Sequence, residues 1–188
     1  VNHLSDERSR AQAIRFKEDK AVIDVLDTAM DCGIRTLMCT THDRIANICE
    51  YMRQNQDKYK DFKFYPCMPY AHKYANAVTE LGIMGTLKAY IPGNILSVAS
   101  KAGIAYMRKD FPTLMELLID AEMKMFHDLN TPVIFLQNVI VDLLMGLGTD
   151  EIFVHYVNYI KEKYNASPGF ITMNLPKMVD LCERLDIE

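Results

Sequence analysis

Two short stretches hold the residue types from which chemical sites are built. Cys39-x-x-His42 runs directly into Asp43 and Arg44, and Cys67-x4-His72 encloses Tyr70. A thiolate and an imidazole from each stretch make a zinc-like ligand set. With all four of Cys39, His42, Cys67 and His72, a divalent metal would be enclosed in a structural site. Three of them with an open position would place the metal for catalysis. The spacing is not that of a metal signature, and the plain reading makes both cysteines small buried hydrophobes and both histidines loop residues. Without a metal, His42 is the group suited to exchanging protons near neutral pH, with Asp43 as the carboxylate that orients it. Asp43 is equally suited to the first turn of a helix, where the dipole favours an acid. Arg44 offers a guanidinium to an anionic substrate or to a surface ion pair. Cys67 stands next to Pro66 and near Pro69, but no base is tied to it by sequence, which weakens its case as a nucleophile.

Elements must position these residues, and the hydropathy pattern alternates between two periods. Residues 19–31 put Ala21, Val22, Val25, Leu26, Ala29 and Met30 on one face, an amphipathic helix ended by Gly33. Residues 34–39 read as a short strand. Thr40 or Thr41 then caps a helix over 43–56, with Ile45, Ile48, Cys49 and Met52 inward. The next strand covers 62–67, with Pro66 expected at its end, where a missing ladder donor matters least. Helices over 72–81 and 95–107 bracket a candidate strand at 86–91. Pro112 suits the first turn of a helix over 112–129, with Leu114, Leu117, Leu118, Ala121, Met125 and Leu129 as its stripe. Residues 133–137 are almost wholly apolar, the pattern of a strand buried on both faces of a parallel sheet. Thr149 caps a helix over 150–164, on which Tyr156, Tyr159 and Lys163 read as a solvated face and His155 as a packing or solvent-facing residue. Ser167-Pro168-Gly169 reads as a break, residues 170–174 as the last strand and 176–185 as the last helix.

The 188 residues are 49% hydrophobic and 24% charged, with a net charge of −4, which suits one globular domain with a sizeable core. Basic residues number 21 against 25 acidic ones and form no run, which argues against a nucleic-acid partner. The most apolar stretch, 133–148, is interrupted by Gln137, Asn138 and Asp142, so no membrane span is expected. The five cysteines are odd in number and irregularly spaced, and no signal peptide precedes them, which points to reduced thiols in the cytoplasm. Both ends look cut, so the single domain over 1–188 is expected to lack its first strand and its last ones.

Five strands alternating with helices imply an α/β fold with parallel strands and right-handed crossovers. A doubly wound open parallel sheet and an incomplete TIM (β/α)8-type barrel both satisfy that order. No glycine-rich turn follows a first strand, since Gly146-x-Gly148 lacks the third glycine, and the incomplete barrel is therefore the favoured expectation. In a barrel, chemistry collects at the C-terminal ends of the strands. Cys39, His42, Asp43, Cys67, Tyr70, His72, Gln137, Asn138 and Asn174 would then surround one mouth.

Gly33-Ile34-Arg35-Thr36-Leu37 opening onto Thr40-Thr41-His42-Asp43-Arg44 resembles the second strand of aldo-keto-reductase-like barrels. Asn2-His3-Leu4-Ser5-Asp6-Glu7-Arg8 is similar to the segment after the first strand in uncharacterised barrels of that kind. The resemblance implies the fold and, by fold alone, an oxidoreductase. Met38 stands where those reductases have their catalytic Asp, Asp43 falls near their Tyr, and no Lys ends the strand at 62–67. The expectation is a cytoplasmic barrel enzyme acting on a small polar or anionic molecule, with His42 and Asp43 handling protons. Arg44, Tyr70, Gln137, Asn138 and Asn174 would bind substrate. A metal-dependent lyase or hydrolase is one alternative. The other is a non-catalytic barrel subunit, its sheet edges covered by a second copy, another partner or missing segments of the same chain.

Overall fold

The two hydropathy periods resolve into helices and parallel strands in a computed structural model that describes residues 5–70 and 111–188. Helix α1 (Asp6–Arg15) is capped by the Ser5 hydroxyl, which accepts the Arg8 N–H at 3.3 Å, and buries no side chain. Helix α2 (Asp19–Asp31) has the expected bounds and buries Ile23. Gly33 follows at φ +88, the left-handed region a helix exit favours, and its N–H returns to the Met30 carbonyl at 2.9 Å. Strand β1 (Thr36–Thr40) leads to α3 (Asp43–Gln54), which buries Ile48, Cys49 and Met52. The short α4 (Gln56–Tyr59) precedes β2 (Lys63–Met68). Helix α5 (Phe111–Met123) and a 3-10 turn (Lys124–Phe126) precede β3 (Val133–Leu136). Helices α6 (Asn138–Leu147) and α7 (Asp150–Tyr164), strand β4 (Ser167–Phe170) and α8 (Leu175–Arg184) complete the described chain.

The four strands form one parallel sheet in the order β1-β2-β3-β4. A doubly wound sheet reverses its strand order at a switch point, and no reversal occurs among the described strands. One face carries Phe64, Met68, Ile134 and Leu136, all buried against the helices with Ile48, Met52, Phe126 and Ile160. Rings continue from Phe62 to Phe64 at 5.2 Å and from Phe64 to Phe126 at 5.6 Å. Each such side chain stabilises the fold by roughly 1.5–3 kcal/mol on burial. On the other face Met38 is 49% exposed, and Tyr65 and Phe135 are half-buried with ring centroids 6.1 Å apart. Among the described residues, no helix is long and apolar enough to cross a membrane.

Several expectations are corrected. Pro66 lies inside β2 rather than at its end, opposite Cys39. The Phe64 N–H reaches the Asn130 carbonyl at 2.8 Å, so the next donor facing β3 would come from residue 66, which has none. The β2–β3 register accordingly begins at Cys67↔Phe135 and includes Met68↔Leu136. The supposed break at Ser167-Pro168-Gly169 is β4 itself, while 171–174 form the following loop. Ser167 and Ile171 donate to the β3 side, through the Pro132 and Leu136 carbonyls, so Pro168 turns its missing donor to the side away from β3. Gly169 leaves room for the Phe135 ring, since a Cβ there would lie 2.5 Å from two ring carbons. The apolar run at 133–148 divides after Leu136, and α6, absent from the sequence reading, starts at Asn138 and ends at Gly148 with φ +68.

The buried stripe of α5 is Met115, Ile119, Glu122 and Met123, rotated from the expected leucine stripe. Tyr156 is fully buried and donates its hydroxyl to the Ile134 carbonyl at 2.7 Å. Tyr159 and Lys163 are likewise committed, both reaching Asp120 at 2.5 Å. The helices expected over 72–81 and 95–107 and the strand over 86–91 lie outside the described residues.

Candidate functional site

Parallel strands bring their C-terminal ends to one edge of the sheet, and the loops leaving β1 and β2 meet there around a carboxylate. Glu122 sits in the last turn of α5 and is 2% exposed. Helical Cα–Cβ bonds lean toward the N-terminus of their helix, which lets this side chain reach back from the end of α5. Its Oε2 accepts the hydroxyl of Thr41, itself fully buried, at 2.5 Å. The backbone N–H of Tyr70 donates to Oε1 at 3.0 Å and to Oε2 at 3.2 Å. The carboxylate therefore ties the residue before His42 to Tyr70. The rings of His42 and Tyr70 stand edge to face with centroids 6.1 Å apart. The Met68–Pro69 peptide that delivers Tyr70 is cis.

His42, rather than Thr40 or Thr41, is the N-cap of α3. Its Nδ1 accepts the Arg44 N–H at 3.1 Å. A backbone donor on Nδ1 places the hydrogen of the neutral imidazole on Nε2. His42 thus presents a hydrogen-bond donor at the rim, and its basic nitrogen is occupied by the cap. Asp43 occupies the first position of α3, where the helix dipole favours an acid.

The other sequence candidates divide into rim and non-rim groups. Arg44 turns away from the mouth: Nη1 and Nη2 donate to the Phe16 and Lys17 carbonyls at 2.8 and 3.0 Å, and Nε lies 3.2 Å from Asp19. It fastens the α1–α2 connection to α3. Gln137 is the N-cap of α6, and its N–H donates to the Met68 carbonyl at 3.0 Å, which joins the β3 exit to the β2 exit. Asn138 opens α6 and is half-buried. Asn174 caps α8, its Oδ1 accepting the Lys177 N–H at 3.3 Å. The loop holding Asn174 is fixed from α6 by Asp142, which accepts the Thr172 hydroxyl at 2.5 Å and the Met173 N–H at 3.1 Å.

Among the described residues, the metal candidates Cys39, His42 and Cys67 do not form a ligand group. Cys39 pairs with Pro66, so Cys67 is one position further along the neighbouring strand and belongs to the opposite face of the sheet. Cys39 packs into the core on the helix side together with Cys49. Burial pushes the Cys39 thiol upward, raises Cys49 to about 12 and raises Cys67 to about 11, which opposes the thiolate a metal or a nucleophile requires. His72 lies outside the described residues. Among the described residues, no group of three or more His, Cys, Asp or Glu side chains is arranged to hold a metal ion.

Glu122, Thr41 and Asp142 are not among the site residues the sequence suggests; Thr41 reads there only as a helix cap and Asp142 only as a break in an apolar run. For Glu122 a signal existed: with Met115, Ile119 and Phe126 it keeps three- and four-residue steps, so an acid lies within an apolar stripe. For Asp142, the only charged residue of α6, the signal was the same in weaker form. No family model, no curated protein and no solved structure matches the chain.

Proposed function

We propose that this chain belongs to an incomplete (β/α)8-type barrel enzyme, aldo-keto-reductase-like in fold, that binds a small polar or anionic molecule at the C-terminal rim of its sheet. Consecutive strand order supports the barrel, because a singly wound sheet sends every strand exit to one mouth. The observation that carries the reading is the Thr41–Glu122–Tyr70 brace. Burying a carboxylate is a poor way to gain stability, and its return here is a fixed relation between two loops that bear His42 and Tyr70. The Nε2–H of His42 suits a carbonyl, carboxylate or phosphate oxygen. Gln137, Asn138 and Asn174 extend the polar rim. The oxidoreductase assignment rests on fold resemblance, since Met38 replaces the acid of the reductase pattern. Free thiols at all five cysteines suit a cytoplasmic setting.

The test is an NMR titration of the chain with small carboxylates, phosphate esters, sugars and reduced nicotinamide dinucleotides, read at the His42 and Tyr70 side chains. One class should produce saturable shifts at both rings, and His42→Ala should abolish them. A panel without effect, or a ligand whose binding ignores His42→Ala, would sink this reading. A non-catalytic subunit is the second reading, favoured by the half-exposed Met38, Tyr65 and Phe135 on the sheet face away from the helices. Light scattering separates the two, since a subunit that needs its partner should self-associate or aggregate when alone.

A further inference from the structure

The opposite end of the sheet carries a charge pattern that the rim does not explain. Three turns converge there: α2 to β1, α4 to β2, and the 3-10 turn to β3. The Lys63 N–H donates to the Arg35 carbonyl and the Phe64 N–H to the Asn130 carbonyl, both at 2.8 Å, which draws these turns together. They enclose an open cavity of about 420 Å³ that includes Arg35, Thr36, Lys60, Asp61, Lys63 and Asn130. Three of these side chains are cationic and one is acidic. None of the three cations forms an ion pair among the described residues, whereas Lys20, Lys58 and Lys163 are paired with Asp24, Asp27 and Asp120. Arg35 uses Nη1 on the Met30 carbonyl at 3.3 Å, which fixes the guanidinium while its other N–H groups stay available.

We infer that this cavity is a binding site for a phosphate group, carried free or as a small phosphomonoester. A guanidinium and two ammonium groups supply charge-assisted donors, and the Thr36 hydroxyl and Asn130 amide supply neutral ones. The size of the site and the −4 charge of the chain select against a polymer. A nucleic acid would meet net repulsion beyond this one patch. The site lies at the N-terminal ends of β1 and β2 and is separate from the rim. It therefore stands whether or not the rim binds a ligand.

The experiment is a titration of the isotope-labelled chain with inorganic phosphate at constant ionic strength, followed through backbone amides. Saturable shifts should be confined to residues 33–36, 60–63 and 130. The Lys60→Gln/Lys63→Gln double variant should weaken binding about tenfold or more, because it removes two charge-assisted contacts. Lys161→Gln, a charge change on α7 equal to that of Lys60→Gln alone, should leave the affinity unchanged. Glycerol phosphate distinguishes the source: tighter binding than phosphate identifies an ester ligand, and equal binding identifies free phosphate. Shifts that are dispersed, that fail to saturate, or that chloride reproduces would overturn the site. Equal weakening by Lys161→Gln would overturn it as well. Lys60→Gln alone, at an exposed position, provides the same comparison if the double variant folds poorly.

Discussion

The Thr41–Glu122–Tyr70 brace makes a quantitative demand on stability. Glu122→Gln keeps the shape of the side chain but exchanges one acceptor oxygen for an amide donor. The Tyr70 N–H can only donate and keeps the remaining oxygen, so the Thr41 hydroxyl meets the amide nitrogen, from which it can accept but to which it can no longer donate. Thr41 is fully buried and has no water to turn to. A hydrogen bond to a charged group contributes about 1.5–3 kcal/mol, so losing one and weakening the other should cost about 2–3 kcal/mol. In a domain of this size each kcal/mol moves the melting temperature by about 2–4 °C, which gives a fall of about 4–12 °C. Thr41→Val removes the hydroxyl donor isosterically and should cost about 1–2 kcal/mol. Groups that share one hydrogen bond are not additive, and the double variant should show a coupling of about 1 kcal/mol or more. Calorimetry on the four proteins measures the cycle, and hydrogen exchange at the Tyr70 amide reports the loop directly. If Glu122→Gln melts with the wild type and leaves Tyr70 equally protected, the carboxylate does not brace the rim and the argument fails.

Other perturbations follow from the same geometry. Gly169→Ala should destabilise the sheet by about 1–3 kcal/mol, because the new methyl would overlap the Phe135 ring; Phe135→Leu in the same chain should recover part of the loss, and an unchanged melting curve for the single variant would contradict the packing. Burial alone would raise the Asp120 carboxyl, but hydrogen bonds from Lys163, Tyr159 and Tyr164 outweigh it and hold the group below its ordinary 3.8. A depressed carboxyl stabilises the fold above its unfolded value and loses that contribution as pH falls through the folded one. The stability gap between wild type and Asp120→Asn should therefore be widest near neutrality and shrink below about pH 4; a gap constant across that range would refute the network's role. Alkylation at pH 8 should modify the exposed Cys32 first and spare Cys39, Cys49 and Cys67 until the chain unfolds, as mass spectrometry would show; labelling of Cys67 at the rate of Cys32 would contradict its burial.

Much of the α/β alternation was legible in the sequence because it depends on neighbours along the chain. The stripe and terminal glycine of α2 fixed its bounds, and Thr149 with the acids after it marked the start of α7. The α/β class, the parallel strands and the sheet end at which His42, Tyr70, Gln137 and Asn174 gather were also available from pattern and connection rules. Gln137 and Asn174 were found as polar residues at strand exits, although both serve as helix caps.

What stayed hidden was the register, the rotation of each helix and the side-chain contacts between elements. Ser167-Pro168-Gly169 looks like a break locally. It becomes a strand because the pattern of bonds to β3 turns the missing donor of Pro168 away from β3, and because the Phe135 ring needs the space over Gly169. The stripe of α5 was misread because Leu114, Leu117 and Leu118 lie together to one side of the true contact line through Met115, Ile119 and Glu122, and only the packed partner chooses the rotation. Cys39 and Cys67 seemed to share a site because sequence spacing carries no register, and a one-residue offset between neighbouring strands sends them to opposite faces. The sequence by itself determined where the chain could be helix or strand, through periodicity and caps that act over a few residues. The tertiary structure alone decided which face each element shows and which loops Glu122 joins, since these depend on contacts between residues as far apart as 41 and 122.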